Sequence, residues 1–462
     1  MLFSSITFLY VFLPCVLIFY FAVPKKFKNS VLLISGLLFY AWGEPKYVFL
    51  MIGAILFNYI CGIIIENNRE KVFAKITLTS SIIVNLGMLA YFKYTDFFID
   101  SFNLLFNIEL PLLKIALPIG ISFYTFQILS YVIDVYRGTV KAQKNIINLG
   151  AYIVMFPQLV AGPIVRYSDI NRSLSSRTHS LDKAAAGIRR FIIGLSKKVL
   201  IANQLGEFCE QFNAANEKSV LFYWLYAIAF SLQIYYDFSG YSDMAIGLGK
   251  IFGFDFIENF DYPFISRSVT EFWRRWHRSL GQWFRDYLYI PLGGNRTTKW
   301  KHKRNILIVW LMTGFWHGAS WNFIIWGLYF GVLLIIEKLW FYKKLERSKI
   351  ISRVYLLLIV SLSFVIFSTE NLSEILSFFG AMFGIGQSSI ISEECFYYLK
   401  SFLGLFVIAA IGSTPIVKNI SIKITENKFL AFLEPLVLTV LFIVCTAYLI
   451  DSSFNPFLYF RF

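Results

Sequence analysis

Residues 305–336 read NILIVWLMTGFWHGASWNFIIWGLYFGVLLII, a run of 32 positions from Asn305 to Ile336 without one Asp, Glu, Lys or Arg. As a single helix at about 1.5 Å per residue it would reach roughly 48 Å, well beyond a hydrocarbon core of about 30 Å. Basic sequence flanks it on both sides, Lys299–Arg304 before and Lys338–Arg353 after. Positive loops mark the cytoplasmic side of a membrane. A segment with such charge at both ends must dip in and return, or cross twice. The Thr313, Gly314, Gly318 and Ser320 cluster around His317 is the expected break.

The rest of the chain has the same character. Its 462 residues are 57% hydrophobic and only 15% charged, with mean hydropathy +0.61. Soluble domains carry about 25% charged residues, so a soluble secreted domain, a disordered chain and a coiled coil are all excluded. Further uncharged runs occur at 1–24, 29–43, 47–65, 76–92, 115–133, 145–165, 219–236, 354–369, 375–392, 401–417 and 435–450. The fold class that follows is an all-α polytopic membrane protein. About 11–13 transmembrane or re-entrant helices are expected around a central tunnel, with amphipathic interfacial helices beside them. The 50 Phe, 27 Tyr and 11 Trp suit membrane interfaces. No internal repeat or linker divides the chain. One membrane domain over 1–462 is expected, with peripheral helices at about 1–133 and 354–462 around a core at about 145–340.

The net charge of +15 fits the basic loops of a membrane protein and not a nucleic-acid partner. Lys25, Lys26 and Lys28 follow the first apolar run. A signal peptide has its charge before that run, so this reads as a first span with the N-terminus outside. Loops 69–75 and 137–144 alternate with that choice. The run 145–165 breaks the alternation as 305–336 does, and both are expected to line a cavity. The five cysteines are scattered without a C-x-x-C pair, which argues against a disulfide framework and a metal site.

Chemistry has few carriers. Of the four histidines, His317 sits in the longest uncharged run, where a titratable imidazole is a functional candidate. The alternative is a structural histidine bonded to a neighbouring helix. His277 lies in 271–287, where helical spacing puts Trp273, Trp276, Leu280, Phe284 and Tyr287 on one face. Arg274, Arg275, Arg278 and Arg285 take the opposite face. The expectation is a continuous amphipathic interfacial helix with His277 at the edge of its apolar side. Its arginines suit a phosphorylated ligand or, equally, cytoplasmic topology and anionic lipid. In 235–243, Asp237, Tyr241 and Asp243 follow a membrane run, placed to cap the next helix or to orient a histidine. Gly247-Leu248-Gly249-Lys250 fails the phosphate-loop pattern, with Ile251 where Ser or Thr is needed. Neither H-E-x-x-H nor G-x-S-x-G occurs.

Three stretches together carry a resemblance. They are Phe272-Trp273-Arg274-Arg275-Trp276-His277, then Trp283 to Arg296 with Pro291-Leu292-Gly293-Gly294-Asn295, then Gly314-Phe315-Trp316-His317-Gly318. Tyr40-Ala41-Trp42-Gly43, Ala161-Gly162-Pro163, Tyr236 to Tyr241 and the tail Phe460-Arg461-Phe462 support it. The chain resembles the membrane-bound O-acyltransferase family, and within it the bacterial alginate and peptidoglycan O-acetylation branch.

The resemblance implies acyl transfer from a thioester to a hydroxyl, with His317 and His277 catalytic. Arg274, Arg278, Arg285, Trp316, Asn322, Tyr241 and Asp237 are candidates for donor binding or for lining the tunnel. It implies acetyl-CoA as donor substrate, no tightly bound cofactor and no metal. It further implies membrane lipids and an SGNH-type extracytoplasmic acyltransferase as partners, and a polysaccharide or peptidoglycan as final acceptor. The location implied is the bacterial cytoplasmic membrane. D-alanyl transfer to teichoic acid from a carrier protein is the alternative within the family. A transporter or flippase is the alternative outside it, and a scaffold without chemistry would leave both motif histidines unexplained.

Overall fold

The computed structural model describes residues 1–341, 345, 347–386 and 389–451. The tail Phe460–Phe462 lies outside them. Among the described residues the regular structure is helical throughout, with no strand. Among the described residues six helices are long and apolar enough to cross a membrane: Val48–Asn67, Val72–Phe106, Trp321–Phe341, Lys349–Ser368, Glu393–Gly412 and Phe432–Asp451. Phe8–Ala22 and Leu372–Met382 are shorter apolar helices. The remaining expected runs fall on helices that are too short, as at Lys28–Gly43, or that carry buried polar groups, as at Val220–Ile251. The protein is a multi-pass membrane protein.

The chain forms two compact units, one of Met1–Phe191 with Tyr241–Ile257 and one of Ile192–Gly240 with Glu258–Phe462. In the first unit, Val48–Asn67 and Val72–Phe106 are joined by a buried polar cluster. Asn85 Nδ2 and Ser81 Oγ donate to Asn58 Oδ1 at 2.9 and 2.7 Å. Such groups hold apolar helices together where the hydrophobic effect between them is absent. The 145–165 run does not cross as one helix. Asn145 caps Ile146–Val154, Met155 breaks it, and the short turn Phe156–Leu159 follows. Every residue from 149 to 165 is buried within the protein. Backbone broken at membrane depth requires that cover, and Tyr152 provides part of the satisfaction by donating to the Val165 carbonyl at 3.0 Å.

In the second unit the 305–336 run is a helical hairpin. Lys299–His317 ends at His317, Gly318 is extended, and Trp321–Ile336 returns. The two helices run antiparallel, Gly314 facing Phe323, Trp310 facing Gly327 and Leu307 facing Gly331. A Cβ on Gly314 would strike the Phe323 carbonyl, and one on Gly327 the Trp310 carbonyl, so the close approach requires glycine. Asn322 then pins the turn, its Nδ2 donating to the Thr369 carbonyl at 2.7 Å.

The continuous helix expected over 271–287 is not formed. Val269–Arg275 is a two-turn helix, Trp276 is extended, and His277 adopts a left-handed conformation at φ +43°. Arg278–Phe284 and the wider turn Arg285–Tyr289 follow. The helical wheel fails because a tertiary partner, the extended segment at 258–261, takes over the backbone hydrogen bonds at the break. Asp261 N–H donates to the Arg275 carbonyl at 2.9 Å and Arg278 N–H to the Asn259 carbonyl at 3.0 Å. The 235–243 expectation is also corrected. Both aspartates lie inside the 32-residue helix Val220–Ile251, so neither caps a helix.

Candidate functional site

The break at His277 turns its ring inward. His277 is 1% exposed, with the Phe238 ring 4.6 Å away edge-on. Its Nδ1 lies 3.1 Å from Asn259 Oδ1. The same oxygen accepts from Ser279 N–H at 3.2 Å and from Ser279 Oγ at 2.9 Å. Burial first, and then the neighbouring His317, hold the His277 pKa well below the ordinary histidine range. The ring is therefore a neutral imidazole near pH 7.

His317 closes the first arm of the hairpin, where the helix ends at the extended Gly318. It is buried among aromatic rings, with Trp326 at 5.0 Å and Phe367 at 5.5 Å. Trp316 is common to both histidines, its ring 5.1 Å from His317 and 6.1 Å from His277. The two imidazoles are thus gathered about one indole, although 40 positions separate them in the chain.

A cavity of about 650 Å³ opens on this region. His277, Trp273, Trp276 and Thr313 line it, together with Arg274, Arg278 and Arg285. His317 is not in its wall, but Thr313 is one helical turn before it. The arginines differ in their charge balance. Arg285 pairs with Asp286 at 2.7 Å, and Arg275, outside the wall, pairs with Glu271 at 3.0 Å and Asp261 at 3.3 Å. Arg274 and Arg278 have no carboxylate partner among the described residues. An apolar cleft with unneutralised guanidinium groups on its wall is built to take an anion. Glu337 accepts from the Val269 and Thr270 N–H groups at 2.6 and 3.2 Å and so anchors the helix carrying Arg274. Among the described residues no cluster of His, Cys, Asp and Glu has the makings of a metal site.

The profile of the membrane-bound O-acyltransferase family matches residues 140–373, which contain the whole of this site. The chain belongs to the membrane-bound O-acyltransferase family. It is an O-acyltransferase. The probable alginate O-acetylase AlgI of Pseudomonas putida is 39% identical over an alignment of 487 positions that covers 100% of both chains. A peptidoglycan O-acetyltransferase of Helicobacter pylori is 33% identical over 87% of this chain and 83% of its own. A teichoic acid D-alanyltransferase of Bacillus subtilis is 33% identical over 47% of this chain and 58% of its own.

In this O-acyltransferase the site collects some of the expected residues and not others. His277, Trp316, Arg274, Arg278 and Arg285 come together with His317 beside them. Asn322 is buried at the hairpin turn, bonded to backbone. Asp237 forms a buried ion pair with Lys198 at 2.6 Å. Tyr241 belongs to the other unit, where its ring stacks on Phe3 at 4.5 Å. Asp243 pairs there with Arg190 at 2.7 Å. Asn259, Ser279 and Trp310 were not foreseen. No periodicity marks Asn259, and its one sequence signal is an amide set beside the aromatic Phe260 and Tyr262.

Proposed function

We propose that this O-acyltransferase moves an acetyl group from cytoplasmic acetyl-CoA across the membrane for O-acetylation of an exopolysaccharide or peptidoglycan. An SGNH-type extracytoplasmic acyltransferase receives the group. The observation that carries the reading is the cavity that joins a buried neutral His277 to the unneutralised Arg274 and Arg278. The names of the relatives support the acetyl group, since one is a probable alginate O-acetylase and another a peptidoglycan O-acetyltransferase.

The chemistry follows from the parts. The donor's phosphates carry negative charge that Arg274 and Arg278 neutralise, with Arg285 at the same wall. Its thioester end then extends along the aromatic wall of Trp273 and Trp276 toward the histidines. An incoming hydroxyl attacks the thioester carbonyl, and His317 takes the hydroxyl proton as general base. The C–S bond breaks, the ester C–O bond forms, and the thiolate leaves with the proton that the histidine returns. General-base assistance is worth about 10²–10⁴-fold, and fixed orientation of donor and acceptor adds more. The reading places the chain in the bacterial cytoplasmic membrane with its N-terminus outside and the arginine-lined cavity toward the cytoplasm.

The test uses purified protein in nanodiscs with radiolabelled acetyl-CoA, alone and with an SGNH-type acyltransferase. Acetyl transfer in wild type and its loss in His317→Ala, at equal protein level and thermal stability, is the expected result. Equal turnover in both proteins overturns the role of His317. Turnover with a D-alanyl carrier protein and none with acetyl-CoA overturns the donor.

A further inference from the structure

We propose that Asn259 is a positioning residue that fixes His277 as its Nδ1–H tautomer, so that His277 meets substrate as a proton acceptor through Nε2. The proposal rests on the reading that His277 works in acyl transfer, and it adds which ring nitrogen does so and what decides it.

Asn259 is fully buried. The Ser279 backbone N–H is a donor that cannot reverse its role, and it points at one terminal atom of the Asn259 side chain at 3.2 Å. That atom must be the oxygen, because a rotated amide would set N–H against N–H. The Ser279 hydroxyl lies 3.4 Å from His277 Nδ1 and 2.9 Å from the same Asn259 oxygen, and its single hydrogen goes to the nearer, the oxygen. His277 Nδ1, 3.1 Å away, then faces an acceptor. A bare Nδ1 would put lone pair against lone pair, so Nδ1 carries the hydrogen. In a neutral imidazole one nitrogen donates and the other accepts, which leaves Nε2 with a lone pair. Nε2 is buried and has no hydrogen-bond partner among the described residues.

The backbone reinforces the arrangement. The Asn259 carbonyl accepts from Arg278 N–H at 3.0 Å and thereby stabilises the left-handed His277. A left-handed conformation is uncommon for a residue with a side chain and persists where surroundings over-determine it. Here one residue, 18 positions earlier in the chain, sets both the turn and the tautomer. The cost is visible in the same side chain, since Asn259 Nδ2 is buried without a partner among the described residues. An amide that leaves its own N–H groups unmatched while its oxygen takes three donors is oriented for the oxygen. The substrate group that meets His277 is therefore a hydrogen donor, such as the attacking hydroxyl or an amide N–H of the donor's pantetheine arm. A leaving thiolate in search of a proton does not fit there, because Nε2 has none to give.

The chain has four histidines, which makes the tautomer directly observable. Protein labelled with ¹⁵N-histidine in nanodiscs, compared with His277→Gln, identifies the His277 nitrogens by NMR. The expected spectrum has a protonated Nδ1 and an unprotonated Nε2 near pH 7.5. A protonated Nε2 in the wild type overturns the proposal. Asn259→Ala is expected to let the Nε2–H tautomer appear and to lower kcat by roughly 10²-fold, with KM for acetyl-CoA changed less than about threefold. Asn259→Asp, which keeps an acceptor oxygen against Nδ1, is expected to retain the tautomer and most of kcat. An alanine variant that keeps both wild-type kcat and the Nδ1–H form overturns it as well. Should the alanine variant fail to fold, the wild-type spectrum alone decides. Inactivity of the wild type with acetyl-CoA would count against the donor reading and leave the tautomer result standing.

Discussion

Removing Arg278 and Arg274 tests the donor reading through the cavity's charge. Both are spared the internal ion pairs that occupy Arg275 and Arg285. A phosphate arriving at either guanidinium therefore displaces no carboxylate. A hydrogen bond to a charged group contributes about 1.5–3 kcal/mol when sheltered. Arg278 is half-buried on the cavity wall and Arg274 is exposed at it, so solvent discounts the second more than the first. At about 1.4 kcal/mol per tenfold, Arg278→Ala should lower kcat/KM for acetyl-CoA roughly 10–30-fold and Arg274→Ala about fivefold. The double variant should lose about 10²-fold, less any coupling between neighbours that share one ligand. Arg285→Ala is the control, because Asp286 already neutralises that charge, and its loss should stay within about threefold. The assay is the initial rate of acetyl transfer in nanodiscs over a range of acetyl-CoA, repeated with acetyl-pantetheine, which lacks the phosphates. Against that second substrate all variants should match wild type. A double variant with wild-type kcat/KM for acetyl-CoA would refute the assignment, as would an equal loss with acetyl-pantetheine.

Three other perturbations report on neighbouring parts of the structure. Because burial and His317 depress the His277 pKa, the unfolded chain binds a proton below about pH 6.5 that the folded chain refuses. Stability and activity should both hold from pH 7.5 down to about 6.5 and decline only below it. An activity limb assigned to His277 above that range, by its absence in His277→Gln, would contradict the burial. Gly314→Ala sets a methyl against the Phe323 carbonyl, a backbone atom that cannot rotate away, and should cost about 1–3 kcal/mol or more. Gly331→Ala meets only the Leu307 and Trp310 side chains at 3.2 Å and should be milder; thermal unfolding in detergent that ranks them the other way would sink the hairpin packing. Lys198→Met strands the Asp237 carboxylate, 5% exposed, and should destabilise by about 3–5 kcal/mol. The double change with Asp237→Leu should recover most of that, and a single variant as stable as wild type would show the pair to be dispensable.

The sequence alone determined the membrane class and the helical hairpin at 305–336, and it singled out His317 and His277 as candidates. Hydropathy and charge are properties of composition, and a run too long for one span with basic flanks at both ends has few ways to fold. The glycines and small residues beside His317 announced the turn because only they permit it. What the tertiary structure decided is how His277 is held. Helical spacing treats residues 271–287 as one continuous cylinder, and it puts arginines and aromatics on opposite sides. The break at His277 is held by hydrogen bonds that Asn259 accepts and Asp261 donates, both outside that window, and it brings Trp273, Trp276, Arg274 and Arg278 to one cavity wall. Asp237 was likewise legible as a carboxylate but not as the partner of Lys198, 39 positions earlier. Periodicity records which face of an element is apolar. It carries no record of a long-range acceptor that overrides the local backbone, and that acceptor holds the turn and the ring nitrogen of the histidine.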